Sequence, residues 1–489
     1  MSHYKVAVFD IGKTNKKLLV YDRDLVCLNP SDRPRVFPEI TIDGLLCDDM
    51  PAIHNWMLDS LADAVRRFGD IRAVSISTHG ATLAFLSADG SLAFPVVSYM
   101  QPLSADEDDA FYAEMGISPA AMQQATGTAQ FGFLINHAKA AWLLKRRFPA
   151  RFASVDSVLM FPSYIAWLLT GRKSIEPTYI GCHGYLLDIS GQKYSSVADS
   201  LGLTRKLPPL PFSPPWTALG TVTDEVARRT GLSTDTVVTV GVHDSNAALV
   251  PYFASGRTDF VLQDSGTWVV TMSPCAEARF ADSEIGREVF FNRSIYSAPV
   301  KTTIFRGGAE FDFYAGHVLQ GRPHPADVNM DVLRAILARR EAFVLPTIER
   351  GSGLFPDSTA RIEGVDAVFA NPTASWCAVD LGLAVQGFAA IRMAAGESPS
   401  EIFIEGNIGA NNPIYRAALA TLFPRSKVSF GSTGGAPFGA GLLALAAVEG
   451  ARPEDFASRF SLGATSVAPL DVDSSLMRAY ADAFLARLR

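Results

Sequence analysis

The chain has 489 residues, of which 48% are hydrophobic and 19% are charged, and its formal net charge is −7. This length favours two or more domains over a single core. The negative charge argues against a surface for nucleic acid or for an anionic membrane. We therefore expect a globular enzyme or binding protein with neither nucleic acid nor a membrane as partner.

The cysteines and the N-terminus bear on the cellular location. Five scattered cysteines show no Cys-x-x-Cys spacing, which indicates neither a disulfide framework nor a zinc site and favours a reducing, cytoplasmic compartment. The N-terminus lacks a long apolar segment, and no uncharged apolar run reaches 18 residues, so neither a targeting segment nor a membrane span is expected. The cysteines are Cys27, Cys47, Cys182, Cys275 and Cys377.

The first recognisable unit is a hairpin with a polar turn. Residues 5–10 form a strand ending in Asp10, and residues 18–22 form a second strand. The turn between them can offer backbone N–H groups, a hydroxyl and an ammonium to a phosphate, and Asp10 could bind Mg²⁺. Alternatively, these residues only form the turn. The predicted phosphate-binding residues are Gly12, Lys13, Thr14 and Asn15.

The next segments place a histidine at the end of a strand. Apolar spacing predicts a helix over residues 51–68 and a strand over residues 71–77, which delivers His79 and Gly80 at its carboxyl end. This is where an open α/β sheet binds ligands, although a lone histidine is also a common structural hydrogen-bonding residue. Helical patterns follow over residues 111–149, and the prolines of residues 208–215 form a rigid connector.

A second strand-to-helix turn carries His243 and Asp244. Residues 237–240 predict a buried strand, and the alanine-rich segment after Ser245 predicts a helix. A carboxylate at such a turn could act as a general base towards a hydroxyl group. The alternative is that Asp244 caps the helix.

The chain then repeats its first unit. Residues 260–263 and 268–272 predict two strands around Asp264, Ser265, Gly266 and Thr267, again a carboxylate followed by glycine and threonine. Two phosphate-type hairpins about 250 residues apart indicate a duplicated domain with the ligand between its halves.

Glycine-rich segments characterise the C-terminal part. A helix over residues 381–396 and a strand over residues 401–405 precede a predicted glycine and asparagine turn at residues 406–412. A second segment, residues 431–441, is expected to be flexible and closely packed before another helix. Small residues there either let a nucleotide base approach the backbone or serve helix packing.

Taken together, these segments resemble the FGGY family of carbohydrate kinases over about residues 4–450. Residues 9–15 resemble the first phosphate motif and residues 264–268 the second. Residues 406–412 resemble the family's adenosine motif, and residues 168–171 match a Leu-Thr-Gly stretch that many members carry. Residues 219–222 and 241–244 match the segments that lead to the family's catalytic aspartate.

The resemblance implies an α/β fold of two actin-like (ribonuclease H-like) ATPase domains, at residues 1–248 and 249–489, with an interdomain active-site cleft. It also implies ATP and Mg²⁺, with Asp244 as general base and Asp10 near the metal. His79, Gly80, His243 and Asp244 itself would contact the sugar. The implied ATP-binding residues are Gly12, Lys13, Thr14, Asn15, Ser265, Gly266, Thr267, Gly406, Asn407, Asn411 and Gly435.

Departures from the family pattern bear on the substrate. Lys13, Asn407 and Ser163 stand where many members have a small or hydroxyl residue, a glycine and an aspartate, respectively. The His-Asp pair at residues 243–244 resembles the fuculokinase and rhamnulokinase branches, which implies a ketose such as L-fuculose or L-rhamnulose. A pentulose such as xylulose or ribulose, or a polyol, is the alternative substrate.

Two other classes of protein stay open. A non-catalytic sugar or nucleotide sensor could retain the same fold, and so could a chaperone-type ATPase acting on a protein. The expected partners are a sugar and ATP, and a homodimer is a further expectation.

Overall fold

The computed structural model describes residues 4–319, 321, 324, 328–431 and 433–488. Its strands are β1 Lys5–Ile11, β2 Lys16–Asp22, β3 Ile40–Ile42, β4 Leu45–Cys47, β5 Ile71–Thr78, β6 Leu83–Leu86, β7 Ser157–Met160, β8 Ala218–Thr221, β9 Val237–Thr239, β10 Val242–His243, β11 Phe260–Ser265, β12 Val269–Pro274, β13 Val289–Arg293, β14 Pro299–Phe305, β15 Ala342–Leu345, β16 Arg361–Gly364, β17 Glu401–Glu405, β18 Lys427–Phe430 and β19 Thr465–Ser466.

The helices lie on both sides of the sheets and between their strands. They are α1 Met50–Phe68, α2 Ala105–Met115, α3 Pro119–Thr126, α4 His137–Arg147, α5 Pro149–Ala153, α6 Phe161–Thr170, α7 Pro177–Ile180, α8 Ser196–Leu201, α9 Asp224–Thr230, α10 Asp244–Ala254, α11 Gly307–His317, α12 Met330–Arg339, α13 Asp366–Ala370, α14 Pro372–Ala395, α15 Gly406–Asn411, α16 Pro413–Leu422, α17 Gly435–Glu449 and α18 Ser474–Ala486.

Two mixed sheets organise the chain, and they repeat one pattern. The first has the order β2-β1-β5-β9-β8, with β10 also paired to β5, and the second has the order β13-β14-β12-β11-β17-β18-β19. In each sheet an antiparallel hairpin, β1–β2 or β11–β12, pairs with a parallel strand, β5 or β17. The duplication predicted from the two hairpins is therefore present in the topology.

Helix α1 shows how the local sequence sets an element. The side chain of Asp49 accepts a hydrogen bond from the N–H of Ala52 at 3.1 Å, and Pro51 occupies the first turn, where its missing N–H costs nothing. Ile53, Met57 and Leu61 recur at helical spacing and are buried in the first core. The helix predicted over residues 51–68 is thus confirmed within one residue.

The two halves share part of their core through α10 and α17. Apolar residues of β1, β5 and α10 form one buried cluster with Leu442, Leu443 and Leu445 of α17. Gly439 allows the close approach, because a Cβ atom there would lie 1.8 Å from the carbonyl oxygen of Ala247. A C-terminal helix therefore completes the core beside the N-terminal sheet.

Two predictions for the glycine-rich segments are wrong. The expected turn at residues 406–412 is largely the short helix α15, and the expected flexible segment at residues 431–441 includes the first turns of α17, with Ser432 outside the described residues. In α17, packing outweighs the low helix propensity of glycine. Gly439 lies against the backbone of α10, and Gly441 lies against the ring of Tyr21.

One helix in the described part of the chain, α14, is long and apolar enough to cross a membrane by length and composition alone. The apolar window of α14 is entirely buried inside the protein. Its residues form the centre of the second core, where they pack with α16 and α18. Its composition is that of a core helix.

The predicted domain boundary lies next to this shared region. Residue 248 is inside α10, which the chain enters directly from β10 and leaves towards β11. A division between residues 248 and 249 would cut that helix. The two domains at residues 1–248 and 249–489 therefore stay a prediction.

We expect Gly439→Ala to destabilise the protein by about 1–3 kcal/mol, because the added methyl group overlaps the carbonyl of Ala247 and overpacking carries a cost of this size. The measurement is the free energy of unfolding in denaturant. Gly316→Ala in α11 is the control: nothing lies within 4 Å of its Cβ position, so it should be neutral or stabilising by up to about 1 kcal/mol. Equal effects of both substitutions would contradict the role of Gly439.

Candidate active site

Polar residues converge where the strands of both sheets end. Asp10 lies near the end of β1, His79 follows β5, Asp244 follows β10, and Asp264 lies near the end of β11. Because β1, β5 and β10 are parallel neighbours, their carboxyl ends meet at one edge of the first sheet. Open α/β sheets bind ligands at such an edge.

Asp244 is the first residue of α10, and the N-cap position belongs to His243. The Oδ1 atom of Asp244 accepts hydrogen bonds from the N–H and the hydroxyl of Ser245, at 2.6 and 3.3 Å. Ser245 is the second residue of the helix, so the carboxylate satisfies one free N–H of the first turn, but from the first helical position and not from the N-cap position. The N-cap assignment for Asp244 is therefore wrong, and its carboxylate, 32% exposed, also lines the cleft.

Three carboxylates influence one another in this cleft. Burial, and next the charge of Asp244, raise the pKa of Asp10 to about 7. Burial, and next the charges of Glu405 and Asp244, raise the pKa of Asp264 to about 6. The pKa of Asp244 is also raised, chiefly by burial. Each shift reflects the cost of ionising a carboxyl group that protein atoms surround, even though Asp244 and Asp264 keep some exposed surface.

This cluster fits a divalent cation. Mg²⁺ binds carboxylate oxygens together with phosphate oxygens and water, and Asp10 and Asp264 supply the carboxylates from the two equivalent hairpins. A cation would stabilise the ionised form of both groups and so oppose the burial and the neighbouring charges that raise their pKa values. Asp10 was predicted as the metal residue, and Asp264 is an addition from the structure.

A cavity of about 150 Å³ lies between the halves, and Asp244 lines it. Its polar wall comes mainly from the N-terminal half and its apolar wall largely from the C-terminal half. The lining residues are His79, Gly80, Ala81, Tyr99, Phe133, Leu134, His183, His243, Asp244, Ser245, Trp268, Val270, Phe290, Asn292 and Ile304. All four residues predicted to contact the sugar are therefore in one cavity.

His79 is held as a neutral acceptor in this wall. Its Nδ1 atom is 3.1 Å from the carbonyl of Gly80, and its ring lies between Tyr99 and Phe161 at centroid distances of 5.3 and 5.2 Å. Burial lowers the pKa of His79 to about 4. Its Nε2 atom is buried without a partner, so it can accept a hydrogen bond from a ligand hydroxyl.

His243 and His183 crowd the position of Gly80. A Cβ atom at Gly80 would lie 2.8 Å from Cδ2 of His183 and 2.9 Å from Nε2 of His243, so this position requires glycine. His243 Nε2 lies 3.3 Å from Asp244 Oδ1, and its Nδ1 lies 3.0 Å from Asn246 Nδ2. Burial lowers the pKa of His243 to about 3, so its ring is neutral.

A second cavity of about 330 Å³ opens on the other side of the second hairpin turn. Of the predicted ATP-binding residues, Gly266, Thr267, Asn407 and Asn411 line it together. Helix α11 adds Gly308, Phe311 and Asp312, which the sequence analysis did not identify. The Gly307-Gly308 pair that follows β14 could have indicated this wall of the cavity from the sequence, because glycine at position 308 allows close contact with the Gly266 carbonyl.

In the first turn Lys13 has acidic partners, and the phosphate-binding roles predicted for Gly12, Lys13, Thr14 and Asn15 stay predictions. The Lys13 ammonium lies 2.7 Å from Glu39 and 2.8 Å from Asp48, so it is paired within the N-terminal half. The buried Lys16 instead donates to the carbonyls of Gly12 and Lys13, at 3.3 and 3.1 Å. Thr14 and Asn15 are exposed at the tip of the turn.

The remaining predicted ATP-binding residues have structural partners. Ser265 is buried; it donates to the carbonyl of Glu405 and accepts from the N–H of Gly409 at 2.8 Å. Gly406 has φ +86°, and a Cβ there would lie 2.7 Å from Oδ1 of Asp264. Gly435 begins α17 and does not line the second cavity. The ATP-binding roles of these three residues stay predictions.

The sequence analysis also did not assign Trp268, Asn292 or the Cys182-His183 pair. The ring of Trp268 lies 4.0 Å from that of Phe133, which comes from the other half. Trp268 directly follows the second phosphate-type turn, and this position was a usable signal. Asn292 and His183 carried no local signal, because only tertiary packing brings them to the cavity.

Two family models match the chain. "FGGY family of carbohydrate kinases, N-terminal domain" matches residues 5–251, and "Carbohydrate kinase FGGY, C-terminal domain" matches residues 257–453. The chain therefore belongs to the FGGY family of carbohydrate kinases, as the motifs predicted. ATP-dependent phosphorylation of a carbohydrate is the activity of this family.

Curated relatives are distant. An L-fuculokinase of Salmonella typhi is 28% identical over an alignment 284 residues long, which covers 55% of this chain and 56% of the relative. A rhamnulokinase of Bacteroides thetaiotaomicron is 27% identical over 262 residues, which are 53% of this chain and 52% of the relative. The matched stretch thus spans about half the length of these curated relatives.

Solved structures match the whole chain. A carbohydrate kinase from Novosphingobium aromaticivorans is 26% identical, with a TM-score of 0.82 and coverage of 100% of this chain and 99% of that one. A xylulose kinase from Lactobacillus acidophilus, 16% identical, has a TM-score of 0.83 and covers 99% and 97% of the two chains, a likeness of fold alone. The predicted two-domain α/β fold is confirmed.

We expect Asp10→Asn to stabilise the unliganded protein at pH 8. The pKa of Asp10 in the folded protein, about 7, is higher than its ordinary value of 3.8. The proton on Asp10 therefore stabilises the fold fully below pH 3.8, and this stabilisation is lost as the pH rises through 7. The melting temperature at pH 8 should rise by about 3 °C or more, and the difference should shrink towards pH 5.

Addition of Mg²⁺ should raise the melting temperature of the parent at pH 8 and that of the variant less, because the ion offsets the charge of Asp10. Asp482→Asn, an exposed substitution on α18, serves as the control and should behave as the parent. If the stability difference between the parent and Asp10→Asn is the same at pH 5 and at pH 8, the raised pKa of Asp10 in the folded protein is contradicted.

Proposed function

We propose that the protein transfers the γ-phosphoryl group of ATP to a hydroxyl of a ketose, with Asp244 as the general base. The observation that carries this proposal is the position of Asp244. Its carboxylate lines the cavity between the halves and also interacts electrostatically with Asp10 and Asp264. One group thus faces both a candidate sugar site and a candidate metal and phosphate site.

The chemistry of the proposed base follows from its surroundings. Burial raises the pKa of Asp244, which makes the carboxylate a better proton acceptor near neutral pH. The N–H of Ser245 holds Oδ1, so the carboxylate keeps a fixed orientation. Asp244 would take the proton as the sugar oxygen attacks phosphorus, and phosphoryl transfer beyond this step is mainly positioning and charge neutralisation.

The nucleotide would lie in the second cavity. Its walls combine small residues of the hairpin turn, Gly266 and Thr267, with amide side chains of α15, Asn407 and Asn411. Asp10 and Asp264 would hold Mg²⁺, which supplies neutralisation of phosphate charge when bound. The turn at residues 266–268 lies between the two cavities, so the phosphates would point towards the sugar.

The apolar wall favours a deoxy-ketose, such as L-fuculose or L-rhamnulose, over a pentulose or a polyol. Phe133, Leu134, Phe290 and Ile304 offer no hydrogen-bond partner to a terminal hydroxymethyl group, whereas a methyl group there gains about 0.8 kcal/mol from burial. The names of the two curated relatives agree with this choice. A cytoplasmic location and a homodimer stay predictions.

The competing class is a sugar or nucleotide sensor without turnover. Such a protein needs the cavities but not a desolvated carboxylate between them. The retained Asp10, Asp244 and Asp264 cluster favours the kinase, because carboxylates that raise one another's pKa are costly to ionise in a fold that binds no cation.

Among ketoses, aldoses and polyols, we expect at least one ketose to stimulate ATP consumption, and Asp244→Asn to lower kcat by about 10²–10⁴-fold, the usual contribution of a general base. Asp224→Asn is the matched control, since Asp224 is also the first residue of a helix but is exposed on α9. ATP binding by Asp244→Asn should persist. If the Asn variant keeps full activity, another base acts; if no sugar stimulates turnover, the sensor is favoured.

Replacement of Ile304 should change the choice of sugar. Ile304→Ser places a hydroxyl in the apolar wall. We therefore expect the preference for a 6-deoxy-ketose over the corresponding 6-hydroxy-ketose, measured as the ratio of their kcat/KM values, to fall about tenfold, within the usual range for one apolar contact. Ile304→Val keeps the wall apolar and should keep the ratio. An unchanged ratio in the serine variant would show that the deoxy carbon does not contact this wall.

A further inference from the structure

A cysteine and two histidines meet beside Asp244. Cys182, His183 and His243 each present one metal-ligating atom, and these atoms lie within 4.8 Å of one another. Cys182 Sγ is 3.9 Å from His243 Nε2, and Asp244 Oδ1 is 3.3 Å from the same nitrogen. Two separate segments, one after α7 and one at the end of β10, supply the four side chains.

These spacings are close to those of a tetrahedral zinc site. With Zn–N and Zn–O distances of about 2.0–2.1 Å and a Zn–S distance of about 2.3 Å, tetrahedral angles separate nitrogen from oxygen by about 3.3 Å and nitrogen from sulfur by about 3.6 Å. The observed values are 3.3 and 3.9 Å. Side-chain adjustments of a few tenths of an ångström would therefore complete the geometry for these three atoms.

The groups around the cluster suit metal ligation. His243 and His183 are neutral, because burial lowers the pKa of each to about 3. Nδ1 of His183 and Oδ1 of Asn246 are buried without hydrogen-bond partners. Rotation of the Asn246 amide by half a turn would let its oxygen accept from His243 Nδ1–H and leave Nε2 free as a ligand. Such a second partner commonly orients a metal-bound histidine.

We propose that Cys182, His183, His243 and Asp244 form a binding site for Zn²⁺ in the cavity between the halves, and that zinc bound there excludes the sugar. A thiolate and two imidazoles select zinc over Mg²⁺, which prefers oxygen ligands. Binding displaces one proton from the Cys182 thiol to solvent and occupies an oxygen of Asp244. The exclusion of sugar rests on the proposed kinase function, whereas zinc binding itself does not.

Cobalt is the probe, because Co²⁺ replaces zinc and reports its ligands by absorption. The metal-free protein in excess Mg²⁺ is titrated with Co²⁺. We expect a thiolate-to-cobalt charge-transfer band, strong visible bands of tetrahedral Co²⁺, and loss of both on addition of one equivalent of Zn²⁺. No charge-transfer band, or one that Zn²⁺ does not remove, would overturn the site.

Variants assign the ligands. Cys182→Ser should lose the charge-transfer band, and His183→Gln should weaken cobalt binding by at least about tenfold. Cys275→Ser, which changes a half-buried cysteine remote from the cavity, should bind as the parent does. Circular dichroism establishes that each variant is folded. Retention of the band by folded Cys182→Ser would overturn the assignment even if His183→Gln is weakened.

Competition links the site to catalysis. The sugar that stimulates turnover in the ATP assay should raise the apparent Kd for Co²⁺, and Zn²⁺ should raise the KM for that sugar without changing kcat. If the protein phosphorylates a sugar but shows no cobalt band, only the zinc site is overturned. If it shows the cobalt band but phosphorylates no sugar, only the kinase function is overturned. If metal and sugar bind at the same time, the proposal that zinc excludes the sugar is overturned.

Discussion

The close packing of α10 on α17 fixes where the two halves of this protein meet. Gly439 lets the helices approach until a single methyl group would overlap the Ala247 carbonyl. Because α10 begins at Asp244, this contact also sets the depth at which that carboxylate enters the cleft. The position of the proposed catalytic base therefore depends on a packing contact about one helical turn further along α10.

The same placement makes two carboxylates costly to ionise. Asp10 and Asp264 come from equivalent hairpins of the two halves, and burial together with neighbouring carboxylates raises the pKa of both. A fold can retain such a cluster when a cation binds it, because ion binding offsets the repulsion. The duplicated hairpin thus contributes one carboxylate from each half to the proposed cation site.

The sugar cavity combines unlike contributions from the halves. The N-terminal half supplies His79, His243 and Asp244 as neutral or basic acceptors, and the C-terminal half supplies a largely apolar wall that includes Phe290 and Ile304. This division explains how one cavity could hold hydroxyls against one side and a deoxy carbon against the other. The N-terminal half by itself brings the Cys182 thiol and the imidazoles of His183 and His243 within 4.8 Å of one another.

The sequence by itself determined the two hairpins, helix α1 and the strand-to-helix turn that carries Asp244, in their order along the chain. Strand alternation and polar turns located both hairpins, helical spacing located α1, and a carboxylate between a strand and a helix indicated Asp244. Tertiary structure alone decided that Lys13 pairs with Glu39 and Asp48, that residues 406–411 are helical, and that Cys182 lies beside His243. The physical reason is that hydrogen-bonding patterns and periodicity are local, whereas ion pairing, desolvation and ligand clusters depend on distances between segments far apart in the chain.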